Sequence, residues 1–307
     1  MKLKFSDNYN LFVIYLLLNL SGYDDENNKR GMHPARKMVR RKFQKYNRKN
    51  KKFLSKMRGL IKRVYYSRLT QVFVLVREKY KKNKKDMYRE FLEDVKEVKR
   101  MMPLIEKFEK EYKLKEFFRK KYSPYIEKII NKSETTKTLS KYKSRITGFI
   151  KSRDCEILII PNFMESYWRG HSHFANNRKA LLNIGPGNKN DNINWHNIVH
   201  ESLHFLLRKY FKKVAKKFSP KLKKIIREKT LDKDYKDNPP MSQIEETFIR
   251  AFTPVITGEK LWDYTIQKFP LTELIYKELK EKLVKGKVKF NQKILGEILK
   301  KIEKTYV

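Results

Sequence analysis

An α+β fold, mostly helical with a small sheet, is predicted by three observations. Residues 1 to about 150 place apolar side chains at helical spacing and contain very little Gly or Pro. Two short apolar runs, residues 155–160 and 179–184, have the length and composition of strands. From Asp191 onward helical spacing returns. Helices, then strands, then helices, without strict alternation, points to α+β, with a basic helical region over 1–150 and a second domain over 151–307.

The first element is the run Leu11 to Leu20 (LFVIYLLLNL), apolar on every side and therefore a helix to be buried. Ten residues are too few to span a bilayer, so no membrane span is expected. Behind Lys2 and Lys4 the run also has the length of a signal-peptide core, which makes secretion the alternative to a cytoplasmic location. Asp7 in the leading segment and the poor cleavage site Ser21-Gly22-Tyr23 speak against it. A polar turn, Asp24 to Gly31, leads to a basic helix from about His33. Residues 60–80 mix Val, Tyr and Phe, and their length favours helix. From Lys84 to Lys121 charges alternate with apolar residues at helical spacing, and Pro103 and Pro124 mark helix starts or breaks.

Cys155 to Ile160 (CEILII), stopped by Pro161-Asn162, predicts a buried strand. Tyr167 to Asn177 shows no period. Lys179 to Ile184 (KALLNI) predicts a second strand, closed by Gly185-Pro186-Gly187. Asp191 to Asn194 supplies capping residues for a helix running toward Pro220.

Composition narrows the function. The chain has 307 residues, 40% hydrophobic, enough for a real core. Its net charge of +40 attracts polyanions non-specifically, and such a Lys-rich surface is also favoured in heat-adapted proteins. The stretch Lys37 to Arg63 mixes positive charge with Phe and Tyr, which makes a basic helical nucleic-acid-binding protein the competing class. Cys155 stands alone, excluding an intramolecular disulfide and a Cys-rich zinc knuckle and fitting a reducing compartment.

The chemistry is concentrated in His200-Glu201-Ser202-Leu203-His204, an H-E-x-x-H inside a predicted helix. That spacing stacks two imidazoles on one face to chelate Zn²⁺, with the carboxylate of Glu201 beside the open coordination position. No histidine follows His204, so a third ligand has to be a carboxylate. Ser242 to Phe252, a helical segment after Pro239-Pro240, offers Glu245 and Glu246. Periodicity favours Glu245, yet Ser242 and Glu245 also form a capping box that gives Glu245 a structural task. Glu246 pairs at i,i+4 with Arg250, either on the surface or as a contact orienting a ligand. His171-Ser172-His173 has the spacing that sets two rings on one strand face, or else lies in a solvated loop. His196, one turn before His200, is a neighbour of the site or a surface residue.

The H-E-x-x-H followed by a glutamate on a second helix resembles the gluzincin metallopeptidases. Their ligand glutamate is typically followed by apolar residues at +2 and +6 and a polar one at +4, and Phe248, Arg250 and Phe252 fit that register from Glu246. The apolar N-terminal helix, a Gly-Tyr turn, HESLH and EETFIRAF also resemble the uncharacterised domain of unknown function 4932 group, over most of the chain. Two departures stand out: a longer spacer from His204 to the glutamate, and Arg250 where an acid is frequent. The resemblance implies a zinc-dependent peptidase holding one Zn²⁺ per chain by His200, His204 and Glu246, with Glu245 as the alternative ligand. The same resemblance implies that Glu201 acts as general base toward the attacking water and then protonates the leaving amine. It implies a peptide or protein substrate added as a strand to an edge formed by Leu181, Leu182, Asn183 and Ile184. Candidates for the transition-state donor are His171, His173, Arg250 and Tyr264. A degenerate peptidase kept as a scaffold is opposed by the intact Glu201.

Overall fold

The computed structural model describes residues 1–22, 32–64, 66–77, 92–151, 154–176, 178–188 and 190–306. The expected turn from Asp24 to Gly31, Tyr23 of the Gly-Tyr turn, residues 84–91 and Asn177 lie outside the described residues. The fold is a mostly helical α+β one with a four-stranded mixed sheet, as predicted. Two compact units are formed, Lys2–Thr136 with Cys155–Asn197, and Lys137–Asp154 with Ile198–Val307 and Met1. The division expected near residue 150 is thereby corrected, because the N-terminal residues share a sheet with residues beyond 155.

In the first unit, strands β1 (Lys2–Phe5), β2 (Glu156–Pro161), β3 (Gly170–Asn176) and β4 (Lys179–Ile184) lie in the order β1-β2-β4-β3. β1 and β2 are parallel, as are β2 and β4, while β3 runs antiparallel to β4. β1 was not expected: residues 1–150 were predicted to be helical throughout, although Lys2-Leu3-Lys4-Phe5 carries the period-two alternation, with Leu3 buried between two exposed lysines. β3 was missed because its side chains are polar and aromatic. The predicted edge at Leu181, Leu182, Asn183 and Ile184 is also corrected. β4 is an inner strand, hydrogen-bonded on both sides and buried without a break from Ala180 to Ile184. A continuous apolar run of this kind belongs to a strand covered on both faces. The outer strands are β1 and β3.

The core of this unit is built around α1 (Tyr9–Leu20), in which every residue from Leu11 to Leu20 is buried. Asn8 caps it, its side chain accepting from the Leu11 N–H at 2.9 Å, and Gly22 follows at φ 93°, a conformation suited to glycine. Helices α2 (Pro34–Gln44), α3 (Lys51–Arg63) and α4 (Tyr66–Arg77) pack on it. α5 (Leu92–Glu111) lies against α4 and contains Pro103 within its length, so this proline neither starts nor breaks a helix. Its exposed position lets water take the carbonyl that the missing N–H leaves. The short α6 (Leu114–Phe117) continues through a π-helical turn into α7 (Ser123–Ile130), where Pro124 sits in the first turn as predicted.

Polar groups thread this apolar core. The Tyr15 hydroxyl donates to Glu165 and accepts from Asn183 Nδ2 at 2.8 Å, and Asn162 Nδ2 donates to Asn183 Oδ1 at 2.8 Å. Asn183, assigned from sequence to a substrate edge, is thus committed to the interior. The Glu165 carboxylate also accepts from the Ser166 N–H at 2.7 Å and faces His171 Nε2 at 3.5 Å. Burial opposes its charge, yet these partners hold its pKa down to about 2. On β3, His173 is 4% exposed, and burial lowers its pKa to about 3.

This predicts acid lability with a defined sign. Below about pH 6.5 the unfolded chain takes up a proton at His173 that the folded chain refuses until about pH 3. Stability therefore falls by up to about 1.4 kcal/mol per pH unit across that window. Glu165 adds to the fall only below its ordinary range, near pH 4.5. Urea unfolding between pH 7 and 5 should show the slope in the native chain and a shallower one in His173→Phe. An identical slope in both would reject the assignment.

The second unit is helical. It takes in α8 (Ser133–Phe149) from Lys137, and α9 (Trp195–Ala215) from Ile198. α10 (Pro220–Glu228), α11 (Pro240–Thr257), α12 (Asp263–Lys268), α13 (Leu271–Leu279) and α14 (Gln292–Thr305) complete it. Phe211 of α9 meets Phe248 of α11 with ring centroids 5.6 Å apart, and Phe290 stands 5.5 Å from Phe248 and 5.3 Å from Phe252. This aromatic cluster fixes α11 against α9. Among the described residues no helix is long and apolar enough to cross a membrane.

Candidate metal centre

α9 starts as its sequence predicts, with the Asn194 side chain accepting from the Asn197 N–H at 3.1 Å. It buries Ile198, Val199, Ser202, Leu203 and Leu206, which turns His200 and His204 to the same side one turn apart, their ring centroids 5.0 Å from each other. Glu201 is only 9% exposed.

α11 begins at Pro240, three residues earlier than the expected capping box requires, and its N-cap Pro239 offers no side-chain bond. Ser242 therefore lies inside the helix, and the structural task predicted for Glu245 is corrected. Glu245 reaches across to His204, its Oε1 3.0 Å from Nδ1. Glu246, 3% exposed, directs one oxygen to each imidazole: Oε2 is 3.2 Å from His204 Nε2 and Oε1 is 3.7 Å from His200 Nε2. The ligand atoms of His200, His204 and Glu246 all lie within 4.8 Å of one another.

These distances suit a metal. Zinc–nitrogen and zinc–oxygen bonds of about 2.0–2.1 Å place two ligands of a tetrahedron about 3.3 Å apart. The two carboxylate-to-imidazole separations lie close to that value. The remaining nitrogen of His204 is engaged by Glu245, an arrangement that would fix the tautomer with its Nε2 lone pair toward a bound ion. Glu245 is thus placed to orient His204, and Glu246 is the carboxylate that lies between the two imidazoles.

Arg250 supports Glu246. Its Nε is 2.7 Å from Glu246 Oε1, and its guanidinium lies 4.8 Å from the Phe269 ring centroid and 5.9 Å from that of Tyr235. Of the two roles read from the i,i+4 spacing, the buried contact is the one found. Burial would raise the Glu246 pKa, but Arg250 and both histidines outweigh it and hold the carboxyl well below its ordinary range. Burial likewise disfavours a charged His204, but Glu245 and Glu246 push its pKa up to about 10.

Tyr264 is not part of the cluster: it is 60% exposed and its ring is 4.6 Å from Lys268 Nζ. His171 and His173 lie on β3 in the first unit, in a strand and not in a solvated loop. His196 lies in the first turn of α9, half-buried. Sequence reasoning missed Tyr235, whose hydroxyl is raised well above its ordinary pKa by the negative charge of Glu246, then by burial and by Glu201. It sits in the polar connection Asp232 to Pro240, where no periodic signal singles it out. No family model, no curated protein and no solved structure matches this chain.

Proposed function

We propose that the second unit is a zinc-dependent hydrolase of gluzincin type, acting on peptide bonds. The observation that carries this is the convergence of His200 Nε2, His204 Nε2 and the Glu246 carboxylate at separations suited to one tetrahedral ion. Three protein ligands leave a fourth position for water or substrate, as catalytic sites do and closed structural sites do not.

Zinc held there would supply Lewis acidity, activating water near neutral pH and polarising a carbonyl. The protein's own groups divide the remaining work. Glu201, on the ligand helix, takes the proton of the attacking water and returns it to the leaving amine. Glu245 holds the His204 ring in its binding tautomer. Arg250 holds Glu246, itself steadied by the faces of Phe269 and Tyr235. The intact Glu201 favours an active enzyme over a scaffold. Peptide docking as a strand on β4 is excluded from this proposal by the inner position of that strand. A cytoplasmic location is supported by the single cysteine of the chain, Cys155, which is buried and fits a reducing compartment.

Metal analysis of the purified protein tests the assignment. One zinc per chain, lost in His200→Ala while the fold persists, is the expected result. A well-folded wild-type chain that takes up no zinc would reject it.

A further inference from the structure

From Lys37 to Arg77 the sequence contains not one Asp or Glu. In the first unit this stretch forms α2, α3 and α4. Eleven of its Lys and Arg side chains between Lys37 and Lys62 are exposed, and among the described residues none of the eleven makes an ion pair. Beyond that point the pattern changes. Arg63, Arg68 and Arg77 each meet an acid of α5, namely Glu97, Asp94 and Glu109. Other exposed helices alternate sign along their own length, as in Lys96–Glu93, Lys277–Glu273 and Lys285–Glu281. The surface of α2 and α3 is of one sign only, which sets it apart from the diffuse positive charge of the whole chain.

We infer that α2 and α3 form a docking surface for the phosphodiester backbone of double-stranded nucleic acid, read without regard to base sequence. Lys37, Arg41 and Lys45 repeat every fourth residue and so share one outer face, as do Lys52 and Lys56 on α3. The helices extend about 16 and 20 Å at about 1.5 Å per residue. A duplex carries one charge per about 1.7 Å of axis, so each helix runs past on the order of ten phosphates. Val39, Phe43, Leu54, Met57 and Leu60 on the undersides are already buried in the core. Met38, 42% exposed, is the one large apolar side chain these two helices leave outside, too small a face to enter a bilayer, which disfavours an anionic membrane as the partner. Tyr46, the aromatic residue beside the basic turn, is already occupied, with its ring centroid 4.0 Å from that of Tyr112. A single strand stacking its bases on exposed rings is disfavoured for that reason.

The test uses the full chain and a fluorescent 25-base-pair duplex of mixed sequence, titrated from 50 to 300 mM salt. The quadruple variant R41Q/K45Q/K52Q/K56Q is compared with K221Q/K223Q/K300Q/K304Q, which removes the same charge from exposed positions of the second unit. The α2–α3 variant should bind at least about 10-fold more weakly at 150 mM salt, with a slope of log K against log salt shallower by about 3–4. The second-unit variant should match wild type, and thermal melts should agree for all three. Equal losses in the two variants would overturn the inference in favour of diffuse charge. So would absence of wild-type binding at 150 mM salt, or tighter binding to phosphatidylserine vesicles than to the duplex.

Discussion

Glu201→Gln is expected to keep one zinc per chain and to lower hydrolysis of a peptide library by about 10²–10⁴-fold. The amide has the shape of the carboxylate and fits the same nearly buried position on α9, so helix and ligands should stay in place. It cannot accept the proton of the attacking water. Metal content and cleavage rate, measured on the same preparation, separate a lost base from a lost ion. An unchanged rate in that variant would reject Glu201 as the base.

Replacing the two adjacent glutamates one at a time should give unequal results. Glu246→Gln removes the carboxylate placed between both imidazoles and takes from Arg250 the charge it pairs with. Zinc affinity should fall by more than about 100-fold, beyond the loss expected for an outer partner. Glu245→Gln removes only the group that orients His204, a change expected to cost about 10–100-fold. Competition with a chromogenic chelator measures both. The reverse order of effects would transfer the ligand role to Glu245.

Much of this site is written in short-range spacing. The i,i+4 histidines need only a helix to come together, and the Asn194 cap supplies its start. The choice between Glu245 and Glu246 is less local. A capping box drawn from Ser242 depends on where α11 begins, and Pro239-Pro240 set that start three residues earlier than the box needs. Adjacent residues stand about 100° apart around a helix, so only one of the two carboxylates can lie between both imidazoles, and the packing of Phe248 on Phe211 sets which one. Tyr235 was illegible because it reaches the site from an aperiodic connection. In the sheet, β2 and β4 were visible as apolar runs, whereas β1 and β3 take their strand character from partners distant in sequence. The inner place of β4 follows from pairings that no local pattern records.

The parallel pairing of Lys2–Phe5 with Glu156–Ile159 has a kinetic consequence. β1 waits long for its partner, since about 150 residues of chain must be synthesised after it before the register exists. During that interval α1, with its unbroken run of apolar side chains, has only the neighbouring helices to shelter it. Helix packing by α2 to α4 therefore precedes sheet closure on the nascent chain, and the interval before closure is when this unit is most exposed to aggregation.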